Sequence, residues 1–298
     1  MSKTLTVFTP TYNRGYILSR CYQALCEQTS KDFIWLVVDD GSTDNTKELI
    51  ENWQKENIIE IKYIYQKNSG KQRAVNTGIK NCDTPFFGFL DSDDYYEKYT
   101  VEKFIKGFDK IKDNPKVAGI LARRGTPDRK IIGNPNLPSK EFIYNVDRLV
   151  KKYRFSGDTC RAYKVEVLKH HLYPEIKDKF ILESVMLSSI DRVYDLLIIN
   201  EIFSISEYLD DGYTKNCIKL YKNNPYGYAL GVNQMTIARR GIVCRVKSVL
   251  IYTTWCWKSK IKLPFRQCKN KSLFICLLPL SLFLYLIKVP EWIHRKGD

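Results

Sequence analysis

The sequence predicts an α/β fold in which a mostly parallel central sheet is covered by helices on both faces. Apolar, strand-like runs alternate with segments of helical periodicity over the first hundred residues. The chain of 298 residues is 44% hydrophobic, which is enough for a substantial core in one large or two small domains. One strand-like run, residues 85–90, leads directly into the acidic tetrapeptide Asp91-Ser92-Asp93-Asp94.

The first elements follow from the spacing of apolar residues. We predict four strands, over residues 4–9, 33–38, 61–65 and 85–90. Helices are predicted over residues 17–25 and 73–80, with a third that carries Leu49, Ile50 and Trp53 after a cap at residues 42–45. All four strands then deliver their carboxyl ends to one edge of the sheet, where open α/β sheets bind ligands.

The alternation weakens after residue 94. We predict a helix over residues 101–111, a short strand over 117–121 and a loop rich in Pro and Gly over 125–138. From about residue 139, short strands and helices mix without regular order. The sequence contains no internal repeat and no low-complexity segment.

The acidic tetrapeptide is the most informative motif. Three carboxylates after one strand concentrate negative charge, and a divalent cation would offset their repulsion. Mg²⁺ and Mn²⁺ prefer oxygen ligands and commonly lie between carboxylates and a substrate diphosphate. The motif therefore indicates an enzyme that acts on a nucleotide-linked substrate. The alternative is a loop whose aspartates cap the next helix.

The net charge of +15 comes almost entirely from the last quarter of the chain. Residues 212–290 contain 14 Lys or Arg and no Asp or Glu, whereas residues 1–211 carry 32 basic and 31 acidic residues. The basic region runs into the uncharged segment 272–287, which a nucleic-acid-binding surface does not need, so we expect no nucleic-acid partner. We expect an anionic membrane surface instead.

The uncharged segment is 16 residues long and is interrupted by Pro279, whereas a membrane span needs about 20 apolar residues. We therefore expect a peripheral or monotopic anchor within residues 272–289, with a buried helix pair as the alternative. The sequence opens with a strand, so we expect no signal peptide and a location at the cytoplasmic face of the membrane. Nine cysteines without a CxxC pair and only three histidines argue against a zinc site or a disulfide framework.

Polar residues also follow the other predicted strands. The segments are TPTYNR (residues 9–14), VVDDGSTDNT (37–46), NSGKQRAVNTGI (68–79) and FLDSDD (89–94). Each is a weak signal by itself, but in this order and spacing they resemble glycosyltransferase family 2, the inverting enzymes of the GT-A fold. The resemblance covers roughly the first third of the chain.

The resemblance implies a Rossmann-like nucleotide-binding half, a metal-dependent reaction and a sugar donor activated by a nucleoside diphosphate, most often UDP. It divides the chain into a catalytic domain (1–215, with a donor half at 1–122 and an acceptor half at 123–215) and a basic helical region (216–298). Asp93 would ligate Mg²⁺ or Mn²⁺, Asp91 would reach the metal or the ribose, and Asp94 would do either or cap a helix. The other residues expected at the nucleotide-sugar are Thr9, Pro10, Tyr12, Arg14, Asp39, Asp40, Lys71, Arg73, Asn76 and Ser92.

Inversion of a sugar requires a general base that takes the proton of the acceptor hydroxyl. Residues 173–184 resemble a segment of some family members in which a Glu after an aromatic residue opens a helix and acts as the base. We therefore assign Glu183 to this role. Many relatives have a Glu-Asp pair here, whereas this chain has Glu183-Ser184. The alternative is an ordinary Glu in the first turn of a helix.

Two further segments resemble the same enzymes. Asp158 would face the acceptor, and residues 208–216, with Asp211, would form a lid over the diphosphate, although a surface turn explains the latter equally well. The sequence thus predicts transfer of one sugar to a hydroxyl of a lipid-linked or glycan acceptor of a surface polysaccharide. Alternatives are transfer to polyprenyl phosphate, nucleotidyl transfer and a non-catalytic scaffold. A processive polymerase is disfavoured because no QxxRW motif is present.

Overall fold

The computed structural model describes residues 2–207, 217–237, 241–262 and 264–287. In these ranges nine strands form one sheet. The strands are β1 Leu5–Thr11, β2 Phe33–Asp39, β3 Ile61–Tyr65, β4 Phe86–Phe89, β5 Tyr95–Tyr96, β6 Val117–Gly125, β7 Phe142–Tyr144, β8 Thr159–Lys164 and β9 Asp195–Ile205. The helices are α1 Leu18–Cys26, α2 Thr46–Glu56, α3 Lys71–Lys80, α4 Thr100–Ile111, α5 Val146–Tyr153, α6 Val165–Lys169, α7 Ser184–Asp191, α8 Cys217–Asn223, α9 Pro225–Met235, α10 Ile242–Lys258, α11 Pro264–Gln267 and α12 Lys271–Leu286.

The sheet has the strand order β3-β2-β1-β4-β8-β6-β9-β5, and β7 pairs with β9. Strands β3, β2, β1 and β4 are all parallel, as the alternation of strands and helices predicted. The rest of the sheet is mixed: β8 is antiparallel to both β4 and β6, while β6 and β9 are parallel. The parallel half places its carboxyl ends at a single edge, where the polar segments of the sequence follow the strands.

Alternation along the central strands produces a core on each side of the sheet. Val7 and Val37 face a layer that includes apolar residues of α1, α2 and α4, whereas Phe8 and Val38 face apolar residues of α3, α6 and α7. The apolar runs in the sequence are therefore continuous because both faces of these strands are buried. This arrangement fixes the strand ends that carry the polar residues.

The predicted elements of the first 125 residues are confirmed, with small changes at their ends. Strand β1 extends to Thr11, two residues beyond its predicted end, and β6 extends to Gly125. The predicted short strands and helices after residue 139 are β7, α5, β8, α6, α7 and β9. The domain boundaries at residues 122 and 215 stay predictions. The first of them falls within strand β6, Val117–Gly125.

Helices α8 to α12 follow the sheet and contain a third apolar core. Its largest side chains are aromatic, among them Tyr228, Tyr252 and Trp255. Helix α12 buries Phe274 and Ser281, while most of its other side chains are exposed. No helix within the described ranges is both long and apolar enough to cross a membrane.

Candidate active site

A cleft of about 670 Å³ lies at the carboxyl edge of the parallel strands. Its walls come from the ends of β1, β2 and β4, from residues before α3 and from the segment before α7. The predicted site residues that line it are Pro10, Tyr12, Arg14, Asp40, Lys71, Asp91, Ser92, Asp93, Asp94, Asp158 and Glu183. Most of the residues singled out from the sequence therefore come together in one cleft.

The acid loop, which we define as residues 91–94, is paired with two basic side chains. Lys71 Nζ lies 2.8 Å from Asp91 Oδ1, and Arg124 lies 3.4 Å from Asp91 Oδ2 and 2.9 Å from Asp94 Oδ2. Burial alone would raise the pKa of Asp91, but the charges of Lys71 and Arg124 outweigh it and hold that pKa well below its usual value. Burial raises the pKa of Asp94 to about 6, against the opposing charge of Arg124.

Asp93 differs from its neighbours in the acid loop. Burial, and then the charge of Asp91, raise the pKa of Asp93, and the opposing charges of Arg14 and Lys71 do not outweigh them. A hard divalent cation would relieve this unfavourable charge, and one or two carboxylates with a substrate diphosphate suffice for Mg²⁺. The residues present therefore fit such an ion. In the part of the chain that the structure describes, no three His, Cys, Asp or Glu side chains form a group able to hold a metal by themselves.

Asp40 organises the loop before α3. Its Oδ1 accepts hydrogen bonds from Gln66 Nε2 at 2.6 Å and from the Ser69 amide at 2.9 Å, and its Oδ2 accepts from the Gly70 amide at 2.7 Å. A carboxylate with several donors is held in one orientation. Asp40 lines the cleft as expected, and its carboxylate also fixes the shape of the cleft wall.

Two predicted site residues point into the protein instead. Thr9 is fully buried, and its Oγ1 accepts a hydrogen bond from Trp35 Nε1 at 2.9 Å. Asp39 is also fully buried and accepts hydrogen bonds from the Ser42 amide at 2.7 Å and from Tyr63 Oη at 2.8 Å. Alternation along β1 and β2 turns these side chains away from the cleft, so they support its walls.

Arg73 and Asn76 are likewise placed away from the expected donor contact. They lie on the face of α3 that meets the base loop, which we define as residues 173–183. Arg73 donates to the Ile176 carbonyl, and Asn76 both donates to the Tyr173 carbonyl at 2.8 Å and accepts from its amide at 2.9 Å. Arg73 and Asn76 lie two and five residues after Lys71 in α3, so they point to a different side of the helix from Lys71. This explains why one motif both lines the cleft and holds the base loop.

Glu183 ends the base loop and immediately precedes α7. Its side chain makes no capping hydrogen bond to the first turn of the helix. Instead Lys71 Nζ donates to Glu183 Oε1 at 3.0 Å, so one lysine joins the acid loop to the base loop. Burial alone would lower the pKa of Lys71, but the charges of Asp91 and Glu183 outweigh it and raise that pKa well above its usual value.

A smaller pocket of about 180 Å³ adjoins the cleft and also has Asp91, Asp158 and Glu183 in its wall. Apolar side chains form much of the remaining wall, including Val75, Phe89, Tyr173, Met186 and Leu187. Arg161 also lines the pocket and is held by Asp191, with 3.2 Å from its Nη1 to each carboxylate oxygen. Asp158, which was expected to face the acceptor, lines both the cleft and this pocket. Asp211 and the predicted lid lie outside the described residues.

Sequence reasoning missed Arg124 and Asn224. Arg124 pairs with two carboxylates of the acid loop. The sequence signal for it was the pair Arg123-Arg124, which follows an apolar run just as the acid loop follows the apolar residues of β4. Asn224 lines the cleft from a part of the chain without a recognisable motif. No sequence signal pointed to it.

Known proteins resemble this chain in sequence and in fold. Residues 6–172 match the family model for glycosyl transferase family 2. The chain is 30% identical to chondroitin synthase of Escherichia coli over 167 residues, which are 54% of this chain and 23% of that protein. It is 32% identical to the teichoic acid poly(glycerol phosphate) polymerase of Staphylococcus epidermidis over 105 residues, which are 35% of this chain and 15% of that protein. The chain thus matches less than a quarter of either relative.

Solved structures show the same fold. S. aureus TarS 1–349 in complex with UDP-GlcNAc superposes with a TM-score of 0.61 at 17% identity, over 97% of this chain and 82% of that one. The mannosyltransferase PcManGT of Pyrobaculum calidifontis, in complex with GDP-Man and Mn²⁺, gives 0.51 at 15% identity, over 97% and 89%. The expected GT-A-like fold is therefore confirmed. Because the family match covers more than half of the chain, the protein belongs to glycosyl transferase family 2.

Proposed function

We propose that this protein is an inverting glycosyltransferase that moves one sugar from a nucleoside-diphosphate sugar to an acceptor hydroxyl. The observation that carries the proposal is the position of Glu183: its carboxylate lines the same pocket as Asp91, and Lys71 holds the two together. A base and a donor-binding carboxylate on one small pocket are the arrangement that in-line displacement at a sugar carbon requires.

The donor is best explained as a UDP-sugar. TarS, with a similar fold, was solved with UDP-GlcNAc and with UDP. The wide cleft offers an aromatic ring at Tyr12, a guanidinium at Arg14 and the organised loop at Asp40. A nucleotide with its diphosphate directed towards the acid loop would use all three.

Asp93 would hold a Mg²⁺ or Mn²⁺ ion together with oxygens of the donor diphosphate. When bound, the ion would neutralise charge that develops on the departing diphosphate, a contribution of several kcal/mol. PcManGT, a neighbour in fold, was solved with Mn²⁺. Lys71 and Arg124 would add positive charge from the protein at the same end of the cleft.

The residues of this chain then divide the remaining work. Glu183 would accept the proton of the acceptor hydroxyl while the oxygen attacks the anomeric carbon from the face opposite the diphosphate. Lys71 would keep Glu183 oriented. The smaller pocket would hold the transferred sugar, and its mixture of charged and apolar walls suits a hexose or an N-acetylhexosamine.

The acceptor is proposed to be a glycan or a polyprenyl-linked oligosaccharide of a bacterial surface polysaccharide, because the similar relatives are named for chondroitin and teichoic acid synthesis. Transfer to polyprenyl phosphate is the main alternative, since a phosphate acceptor needs no base. A non-catalytic scaffold is disfavoured by the intact carboxylate cluster. Comparing Glu183→Gln with the unmodified protein separates the first two, because only a hydroxyl acceptor requires the carboxylate.

We also propose that α12 lies on the cytoplasmic face of the membrane. Its exposed apolar side chains include Ile275, Leu282, Phe283 and Leu286, each between 47% and 66% exposed. Exposed lysines and arginines precede it at the end of α10 and in α11, and no acidic residue lies between residues 212 and 290. An apolar face beside a basic surface suits anionic lipid.

A vesicle test checks this second proposal. Wild-type protein should sediment with vesicles that contain anionic lipid, and the triple variant Leu282→Ser, Phe283→Ser, Leu286→Ser should not. Ile58→Ser, which removes an equally exposed apolar residue from the catalytic region, is the control. Equal sedimentation of the wild type with neutral and anionic vesicles would contradict the charge argument.

The main proposal is tested by incubating the protein with UDP-, GDP- and dTDP-sugars and Mn²⁺ or Mg²⁺, with and without lipid-linked acceptors, and measuring release of the nucleotide. We expect metal-dependent release from a UDP-sugar that Asp93→Ala abolishes and Asp113→Ala, an exposed aspartate outside the cleft, leaves intact. Full activity in the presence of a chelator would refute metal dependence. Failure to bind UDP with Mn²⁺ in calorimetry would favour the scaffold.

A further inference from the structure

Helix α9 begins immediately beyond the cleft and packs against the loop that carries Glu183. We infer, on the basis of the function proposed above, that α9 and Asn224 act as positioning elements for Glu183. The C-terminal helical region would then be part of the catalytic machinery on the acceptor side, in addition to its proposed contact with lipid.

The base loop needs external support because residues 173–183 contain no strand or helix. Helix α3 supplies support on one side. Gln72 Oε1 accepts a hydrogen bond from the Ile181 amide at 3.2 Å, and Asn76 exchanges two hydrogen bonds with Tyr173. These contacts hold the two ends of the loop. In its middle, residues 177–180, the side chain of Lys179 donates to Asn68 Oδ1 at 2.7 Å, and the backbone amides are bound from the other side.

The middle of the loop is fixed by reciprocal hydrogen bonds with α9, in which a side chain of each segment binds backbone amides of the other. Asp178 Oδ2 accepts hydrogen bonds from the Tyr226 amide at 2.7 Å and the Gly227 amide at 2.9 Å. These amides belong to the first turn of α9, where no carbonyl of the helix can accept from them. In return Asn224 Oδ1 accepts from the amides of Lys179 and Phe180, at 3.0 and 3.1 Å. Each segment therefore satisfies the backbone of the other.

Two glycines let α9 approach the loop more closely than any other residue would allow. A Cβ at Gly227 would overlap the carbonyl oxygen of Phe180, and a Cβ at Gly231 would overlap the side chain of Leu182. Glycine weakens a helix interior, so two glycines four residues apart on one face indicate a close packing requirement. Leu182 is the residue directly before Glu183, which places this contact next to the proposed base.

The other side of α9 is anchored in the aromatic core of the C-terminal helices. Trp255 Nε1 donates to the Pro225 carbonyl at 3.0 Å, and Tyr228 packs on Trp255. Asn233 binds the Gln267 carbonyl at 2.7 Å and the Lys269 amide at 2.8 Å. The aromatic residues of this region thus provide a rigid support for the helix that holds the base loop.

The proposed consequence is kinetic. Transfer requires the base within hydrogen-bonding distance of the acceptor hydroxyl, and a misplacement of about 1 Å can lower the rate about 100-fold. We expect Asn224→Ala to lower kcat for transfer by roughly 10- to 100-fold, with the donor KM changed by less than about threefold. Asn224→Asp keeps an acceptor oxygen for the two amides and should recover most of the rate.

Asn233→Ala is the matched control. Asn224 and Asn233 are both nearly buried, at 8% and 4% exposure. The side chain of Asn224 binds three backbone groups and that of Asn233 binds two, but Asn233 faces away from the base loop. We expect its kcat to stay within about threefold of wild type. Equal losses in the two variants, or a loss of Asn224→Ala that appears only in the donor KM, would overturn the inference.

A double variant shows whether Asn224 acts through Glu183. If it does, Asn224→Ala combined with Glu183→Gln should transfer no more slowly than Glu183→Gln alone, whereas independent effects would multiply. If Asn224→Ala does not fold, Asp178→Ala removes the hydrogen bonds from the base loop to the first turn of α9 and should give the same pattern. Multiplicative losses in the folded double variant would contradict the positioning role.

Hydrogen exchange provides a readout that does not depend on activity. The amides of Lys179 and Phe180 should exchange at least about tenfold faster in Asn224→Ala than in wild type, and Asn233→Ala should leave them protected. Unchanged protection would overturn the inference whether or not the protein transfers a sugar. If the wild type fails to bind UDP while the exchange pattern is as expected, the proposed function is refuted and the positioning role of Asn224 is not.

Discussion

The acid loop and the base loop face the same cleft but are held in different ways. The acid loop follows β4 directly, so its position is set by the sheet, and its carboxylates are balanced by Lys71 and Arg124. The base loop has no regular structure and is held by α3 and α9, with one hydrogen bond that joins residues 109 positions apart in the sequence. One loop is a local feature, whereas the other depends on distant packing.

This difference indicates how each loop should respond to substitution. A change in the acid loop removes charge and leaves the surrounding sheet in place. A change around the base loop alters the position of a carboxylate that is itself intact. Among the described residues, Lys71 is the one side chain that forms ion pairs with both loops.

The largest effect is expected for the base itself. Glu183→Gln should lower transfer to a hydroxyl acceptor by about 10²- to 10⁴-fold, because the amide cannot take the proton. The affinity for UDP with Mn²⁺, measured by calorimetry, should not change. Glu175→Gln makes the same substitution at an exposed position of the same loop and should stay near wild type. Comparable losses in both variants would remove Glu183 from its proposed role.

The connection between the loops is tested at Lys71. Lys71→Met should lower kcat by roughly 10- to 100-fold, because Asp91 and Glu183 would then face each other without the cation between them. Steady-state kinetics with varied donor and acceptor would show whether both substrates are affected. Lys67→Met, an exposed lysine just before the motif, is the control. A wild-type rate in Lys71→Met would mean that the two loops work independently.

A smaller effect, on stability, is expected where α3 meets the base loop. Gly70 has φ +101°, and a Cβ there would overlap the Lys179 carbonyl oxygen, so Gly70→Ala should lower the free energy of unfolding by about 3 kcal/mol. Gly241 has φ +109°, and no atom of the described ranges lies within 4 Å of the added Cβ, so Gly241→Ala should cost only about 1 kcal/mol. Urea denaturation measures both. Equal costs would show that the base loop yields easily at Lys179.

The smallest effect concerns pH. His171 lies just before the base loop, and its Nδ1 is 2.7 Å from Ser189 Oγ. Burial, with the charges of His170 and Arg192, lowers the pKa of His171. The unfolded chain then binds more protons, so His171 should reduce stability as the pH falls through and below about 6.5. His171→Gln should weaken this dependence and shift the Tm at acidic pH by about 2 °C or less. A steeper dependence in the variant would contradict the sign.

The parallel half of the fold and most of the residues that line the cleft were predictable from the sequence. Continuous apolar runs identified β1, β2 and β4, and the polar segments after them identified Tyr12, Asp40 and the acid loop. These features are local, because a buried strand determines which residues follow it at the sheet edge. The membrane contact of α12 and the roles of the individual side chains stay predictions.

The directions and partners of the same side chains were decided by tertiary structure. Thr9 and Asp39 belong to the recognised segments, yet strand alternation turns them inward, and Arg73 and Asn76 hold the base loop. Arg124 and Asn224 reach the cleft from distant elements, and only Arg124 follows an apolar run as the residues of the acid loop do. A motif specifies residues at a strand end, but hydrogen-bond and ion-pair partners depend on packing between segments that are far apart in the sequence, and spacing along the chain does not encode that packing.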